Sequence, residues 1–209
     1  MSGNTLDGEV DHARAGLYTL LAALLARPPV RGLLDLAAGL EGSATPLGQA
    51  LDDLAARARA SDEAAAEREF NALFIGVERG ELIPYASWYQ TGFLHDRPLA
   101  RLRQDMKALG LERRPGVAEP EDHIATLCEI MAGLVAEEAD AGATIGQRAF
   151  FERHLAGWGS RFFGDLEEAR QAHLYRPVGT LGRLLLEIDA AAWALSPPEP
   201  MKLEEGAPS

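Results

Sequence analysis

The side chains best equipped for chemistry fall in one run, Glu119-Pro120-Glu121-Asp122-His123-Ile124. Three carboxylates and an imidazole occupy about one turn, with a proline suited to a first helical position among them. Ile124, Leu127, Met131, Leu134 and Val135 follow at i+3/i+4 spacing. The run therefore predicts the start of a helix from Pro120 to about Ala139 with one buried face. Glu119, Glu121 and Asp122 would lie at the positive end of its dipole. Glu119 and His123, four apart, would meet on one face, where the carboxylate favours the imidazolium. Carboxylates so placed can take guanidinium groups bidentately. They also make a sound helix start in any protein, and on this stretch alone that plainer reading is preferred.

A second concentration precedes it. Tyr85, Trp88 and Tyr89 crowd into five residues around Ser87. Aromatics with polar tips anchor peptides, and they also plug cores beneath loops. Elsewhere the reactive residues are scattered. Glu9-Val-Asp-His12 is a lone Glu-x-x-His, where a di-iron bundle needs two. No His-x-x-x-His pair and no Gly-x-Ser-x-Gly elbow occurs. Gly76-Val-Glu-Arg-Gly80 lacks the Lys-Ser/Thr of a phosphate loop. His12, His95, His154 and His173 stand apart, and Cys128, the single cysteine, lies on the apolar helix after His123. It reads as an inert buried thiol. The sequence thus predicts no catalytic residue, no metal site and no cofactor.

The elements that must position these residues all read as helical. Val10, Ala13, Leu17, Leu20, Leu21, Leu24 and Leu25 make a stripe over about Asp7 to Arg27, stopped by Pro28-Pro29. A short helix follows over Val30–Leu40. Thr45-Pro46 and Ser61-Asp62-Glu63 are starts for two more. Gly76 to Gln90 is the least helical part, punctuated by Gly76, Gly80 and Pro84. Helices are predicted from Pro98 to Gly110, from a Thr144 cap through Trp158, over Leu166–Tyr175 after Asp165, and from Pro177. No period-2 alternation is flanked by turn signals. The reading is an all-α bundle of about nine helices over residues 7–193, with a flexible tail at 196–209 and a candidate hinge between two helical halves at 113–118.

Composition bounds the partners. The 209-residue chain carries 20 Lys+Arg against 32 Asp+Glu, a net charge of −12. That balance opposes nucleic-acid binding and permits a cationic peptide. Leu17–Ala26 is too short to span a bilayer and no secretory signal is seen, so a cytoplasmic protein without stable membrane insertion is expected.

Three blocks in order then carry a resemblance. They are Phe70…Leu73-Phe74…Gly76 leading to Pro84-Tyr85-Ala86-Ser87-Trp88-Tyr89; Glu119-Pro120-Glu121-Asp122-His123-Ile124; and Phe162-Phe163-Gly164-Asp165-Leu166…Ala169…Ala172-His173-Leu174-Tyr175. Over roughly residues 12–190 the chain resembles the TorD/DmsD/NarJ-type family of cytoplasmic chaperones for molybdoenzymes. The resemblance implies an all-helical fold and a non-enzymatic role. The partners it implies are the apo catalytic subunit of a molybdopterin oxidoreductase and that subunit's twin-arginine signal peptide, held until the cofactor is inserted so that export is delayed. It further implies that Tyr85, Ser87, Trp88, Tyr89, Glu119, Pro120, Asp122 and His123 form the peptide site. Family members often carry an acidic residue where Ala86 stands. Weak guanine-nucleotide binding is also implied by the resemblance, with no phosphate motif beside it. Two rival readings are a small all-α metal-dependent hydrolase using Asp122 and His123, and a generic helical protein–protein adaptor. The sequence names no client, and it leaves monomer and domain-swapped dimer open.

Overall fold

The longest apolar stripes make the centre of the molecule. The computed structural model describes residues 3–76, 79–112, 119–137 and 145–195. Helix α1 (Gly3–Ala26) lies along α7 (Ile124–Glu137), and α10 (Tyr175–Leu195) packs against α9 (Gly159–Glu168), α3 (Pro46–Ala60) and α1. Tyr18, Leu21, Leu24 and Leu25 of α1 are buried, as are Ile124, Leu127, Cys128 and Met131 of α7. Around this centre stand α2 (Arg31–Ala38), α4 (Glu63–Phe70), α5 (Ala86–Thr91), α6 (Arg97–Ala108) and α8 (Gln147–His154). The buried apolar side chains form one connected cluster.

Local chemistry fixes the ends. Thr45 accepts from the Gly48 N–H at 3.1 Å ahead of Pro46, and Asp62 accepts from the Ala65 N–H at 2.7 Å, so both predicted caps form. Helix α4 runs on as a π turn over Asn71–Ile75, closed by Gly76 N–H donating to Asn71 O at 2.7 Å, with Gly76 at φ +66°. That wide turn shifts the register of everything after it. Helices α9 and α10 touch backbone to backbone. A Cβ on Gly179 would stand 2.5 Å from the Glu167 nitrogen, and one on Gly182 would stand 2.2 Å from the Phe163 ring. A deep polar node is Asp189 on α10. It accepts from Arg14 Nε at 2.9 Å, Arg14 Nη2 at 3.0 Å and the Tyr18 hydroxyl at 2.7 Å, tying α10 to α1.

The all-α class is as the sequence predicts, with ten α-helices and the π turn among the described residues instead of about nine helices. Four boundaries differ. Helix α7 begins at Ile124 and not at Pro120, because residues 122–124 first pair with another segment. The aromatic stretch read as loop contains α5. Asp165 lies inside α9, and α10 begins at Tyr175, two residues before Pro177, whose ring fits a first turn. The hinge at 113–118, the Thr144 cap and the tail at 196–209 lie outside the described residues.

Candidate functional site

The two conspicuous stretches meet. Tyr85 and His123 form an isolated antiparallel bridge, in which Ala86 N–H donates to Asp122 O at 3.0 Å and Ile124 N–H donates to Pro84 O at 2.9 Å. Asp122 is fully buried, and its Oδ2 accepts from the Ser87 N–H at 2.8 Å. Its carboxylate therefore serves the first turn of α5 from a segment 35 residues away. Ser87 is likewise fully buried. The sequence places Asp122 in the exposed first turn of a helix and Ser87 in the least helical stretch. The bridge buries both and leaves Glu119 as the exposed carboxylate of the run, with Pro120 half-buried beside it. Partial desolvation pushes the Glu119 pKa up. Glu121 is buried too, and its Oε2 accepts from Arg103 Nη2 at 2.9 Å and Nε at 3.1 Å, fastening the run to α6.

His123 corrects the sequence expectation most. No helical turn joins it to Glu119, since α7 starts after it. Its Nδ1 accepts from the Ala125 N–H at 3.1 Å, and its ring stands edge-on to Tyr85 with centroids 5.1 Å apart. Burial lowers its pKa from 6.5 to about 4. The side chain is a neutral cap on α7 and not an imidazolium.

The aromatics of α5 face two ways. Trp88 carries the Arg79 guanidinium 4.6 Å from its ring centroid. Tyr89 packs against Trp158 and Phe162, with centroids 5.3 and 5.8 Å away, and its hydroxyl donates to Asp165 Oδ2 at 2.8 Å. Burial pushes its phenol well above the ordinary value. Arg161 of α9 lies 5.2 Å over the Tyr89 ring and donates to Tyr89 O. The third block is thereby joined to the first. Its last residues are held by two distant carboxylates. Glu69 accepts from the His173, Leu174 and Tyr175 N–H groups at 2.7, 3.1 and 2.9 Å, and Glu81 accepts from those of Arg170 and Gln171 at 2.9 and 3.2 Å.

Of the eight residues singled out from the sequence, Tyr85, Ser87, Asp122 and His123 come together in the bridge. Trp88 and Tyr89 leave it on the next turn, while Glu119 and Pro120 lead into it. Sequence reasoning missed Arg79, Arg161, Arg103, Glu69 and Glu81. Each pairs with a residue outside its own helix or turn, and an isolated Arg or Glu carries no local signal of that. Among the described residues no group of three or more His, Cys, Asp or Glu side chains is gathered for a metal, and burial pushes the Cys128 thiol upward. Nor is any described helix long and apolar enough to cross a membrane.

This geometry is that of an all-helical protein in which two distant segments pair at one isolated bridge. A solved structure of a proposed redox enzyme maturation protein from Archaeoglobus fulgidus shares the fold. The TM-score is 0.59 at 22% identity, over 83% of this chain and 93% of that one. The chaperone protein TorD of Vibrio cholerae is 29% identical over 149 residues, 68% of this chain and 67% of its own length. That of Vibrio parahaemolyticus is 26% identical over 161 residues, covering 73% and 74%. The family model described as nitrate reductase delta subunit matches residues 35–164. The chain belongs to that family, the TorD/NarJ-type chaperones that the three blocks resemble.

Proposed function

We propose that this chain is a TorD-type chaperone that binds the twin-arginine signal peptide and apo form of a molybdopterin oxidoreductase in the cytoplasm. It assists cofactor insertion, delays export and performs no catalysis of its own. The single observation that supports the reading is that the first block pairs with the second at one bridge and with the third through Tyr89. Asp122 holds the first turn of α5 and His123 that of α7, with Trp88 and Tyr89 following on α5 and the exposed Glu119 leading into the bridge. In this reading Glu119 and the aromatic rings take the guanidinium groups and the adjoining apolar segment of the client. Ser87, Asp122, His123 and Pro120 act by holding that surface in place, and Tyr85 packs on His123 as part of the same support. The family relationship supports the class of client. The chain's net charge of −12 supports a cationic ligand.

Calorimetric titration of a twin-arginine signal peptide against the same peptide with both arginines replaced by lysine tests this. A preference of tenfold or more for the arginine form is expected, since charge-assisted bidentate contacts are lost with lysine. Equal affinities, or no binding of either peptide, would sink the reading.

A further inference from the structure

The segment Gly76 to Gly80 is no phosphate loop, yet its two glycines are enforced by contact. A Cβ on Gly76, already at φ +66°, would lie 2.1 Å from Arg79 O, and a Cβ on Gly80 would lie 2.6 Å from Leu73 O. The chain here folds back on the π turn, with Leu82 N–H donating to Leu73 O at 2.8 Å and Glu81 N–H to Ala72 O at 3.2 Å. What that tight path delivers is Arg79, whose guanidinium sits on the half-buried face of Trp88. Arg161 does the same to Tyr89 from α9, steadied by Tyr89 O in α5. Both arginines are exposed, and among the described residues neither makes an ion pair with a carboxylate. Two adjacent aromatic residues thus each carry a guanidinium drawn from a different part of the chain.

We infer that Trp88 and Tyr89 form a guanidinium-accepting platform which the chain fills with its own Arg79 and Arg161, and from which an arginine-bearing peptide must displace them. This rests on the reading that the site takes such a peptide, and it adds the site's built-in competitor. A planar guanidinium stacks on an aromatic ring better than an ammonium does, so the occupants select for their own kind. Self-occupancy lowers apparent affinity by the fraction of molecules whose platform is free. It also keeps two large rings covered while no client is present.

The test uses the full chain and its Arg79→Gln/Arg161→Gln variant, titrated with acetyl-Arg-Arg-amide, acetyl-Lys-Lys-amide and a twin-arginine signal peptide. The variant should bind the di-arginine compound roughly five- to twentyfold more tightly, two aromatic–cation contacts having been vacated. The di-lysine compound should gain at least threefold less. If the double variant does not fold, Arg79→Gln alone reads the Trp88 half. An unchanged or weaker di-arginine affinity, or no measurable binding to either protein, overturns the inference. So does an equal gain for both compounds, which would mean simple removal of positive charge. The proposed function fails separately. If the signal peptide binds no better than a scrambled one while the di-arginine gain persists, the platform stands and the client assignment falls.

Discussion

At the scale of single residues, Glu119 and Asp122 stand in opposite environments three positions apart. Asp122 is buried and its charge-assisted bond to Ser87 N–H is internal. Asp122→Ala should therefore lower unfolding free energy by about 1.5–3 kcal/mol, read by urea denaturation. Glu119 is exposed, so Glu119→Gln should change stability by less than about 0.5 kcal/mol while weakening peptide binding. A stability loss on Glu119→Gln as large as that of Asp122→Ala would show that both carboxylates serve the fold. His123 adds a pH dependence. Its folded pKa, about 4, lies below the unfolded value of 6.5, so the unfolded chain binds the extra proton first. The stability it contributes is full above pH 6.5 and is lost as pH falls toward 4, on the order of 3 kcal/mol in all. His123→Asn keeps an acceptor for Ala125 N–H but cannot titrate. Its melting temperature should fall less between pH 6.5 and 4.5 than that of the wild type. Parallel acid melting curves for the two proteins would remove His123 from the account.

At the scale of elements, the contact of α9 with α10 is set by what is missing from Gly179 and Gly182. The Glu167 backbone fills the space where a Gly179 side chain would go, and backbone cannot swing away as a flexible side chain can. Gly179→Ala must push the two helices apart and should cost about 1–3 kcal/mol, measured as a lowered denaturation midpoint. Gly164→Ala, on the same helix pair but with open space around its Cβ, is the control. It should stabilise slightly or change nothing. Equal losses would mean that helix propensity, and not close approach, explains Gly179. Separation of α9 from α10 would also disturb Asp165, which holds the Tyr89 hydroxyl from α9.

At the scale of the whole molecule, a net charge of −12 makes association with a cationic peptide salt-dependent. Affinity for a twin-arginine peptide should fall steadily between about 50 and 500 mM salt. Glu119→Gln should flatten that dependence. Trp88→Leu should lower affinity and leave the dependence nearly unchanged, because it removes aromatic contact and no charge. Titration calorimetry at three ionic strengths checks all of this, and a salt-independent affinity in the wild type would argue that the acidic surface plays no part in capture.

Much of this architecture was legible in the sequence because it rests on local physics. Stripes at i+3/i+4 spacing decided that α1, α3, α7 and α10 are helices, and side-chain caps such as Thr45 and Asp62 marked starts. The order of the three blocks was enough to resemble the family. The meeting of Pro84–Ser87 with Asp122–Ile124 was not legible, since backbone pairing across 35 residues leaves no periodic trace. Once it forms, it delays the start of α7, buries Asp122 and neutralises His123, reversing the surface role that the residue types suggested. Glu69, Glu81, Arg79 and Arg161 likewise gain their partners only from the approach of distant segments. Residue type and spacing determined which side chains are available to the site. Tertiary packing decided which of them face solvent and which are spent on holding the others, because burial and long-range pairing depend on the whole chain at once.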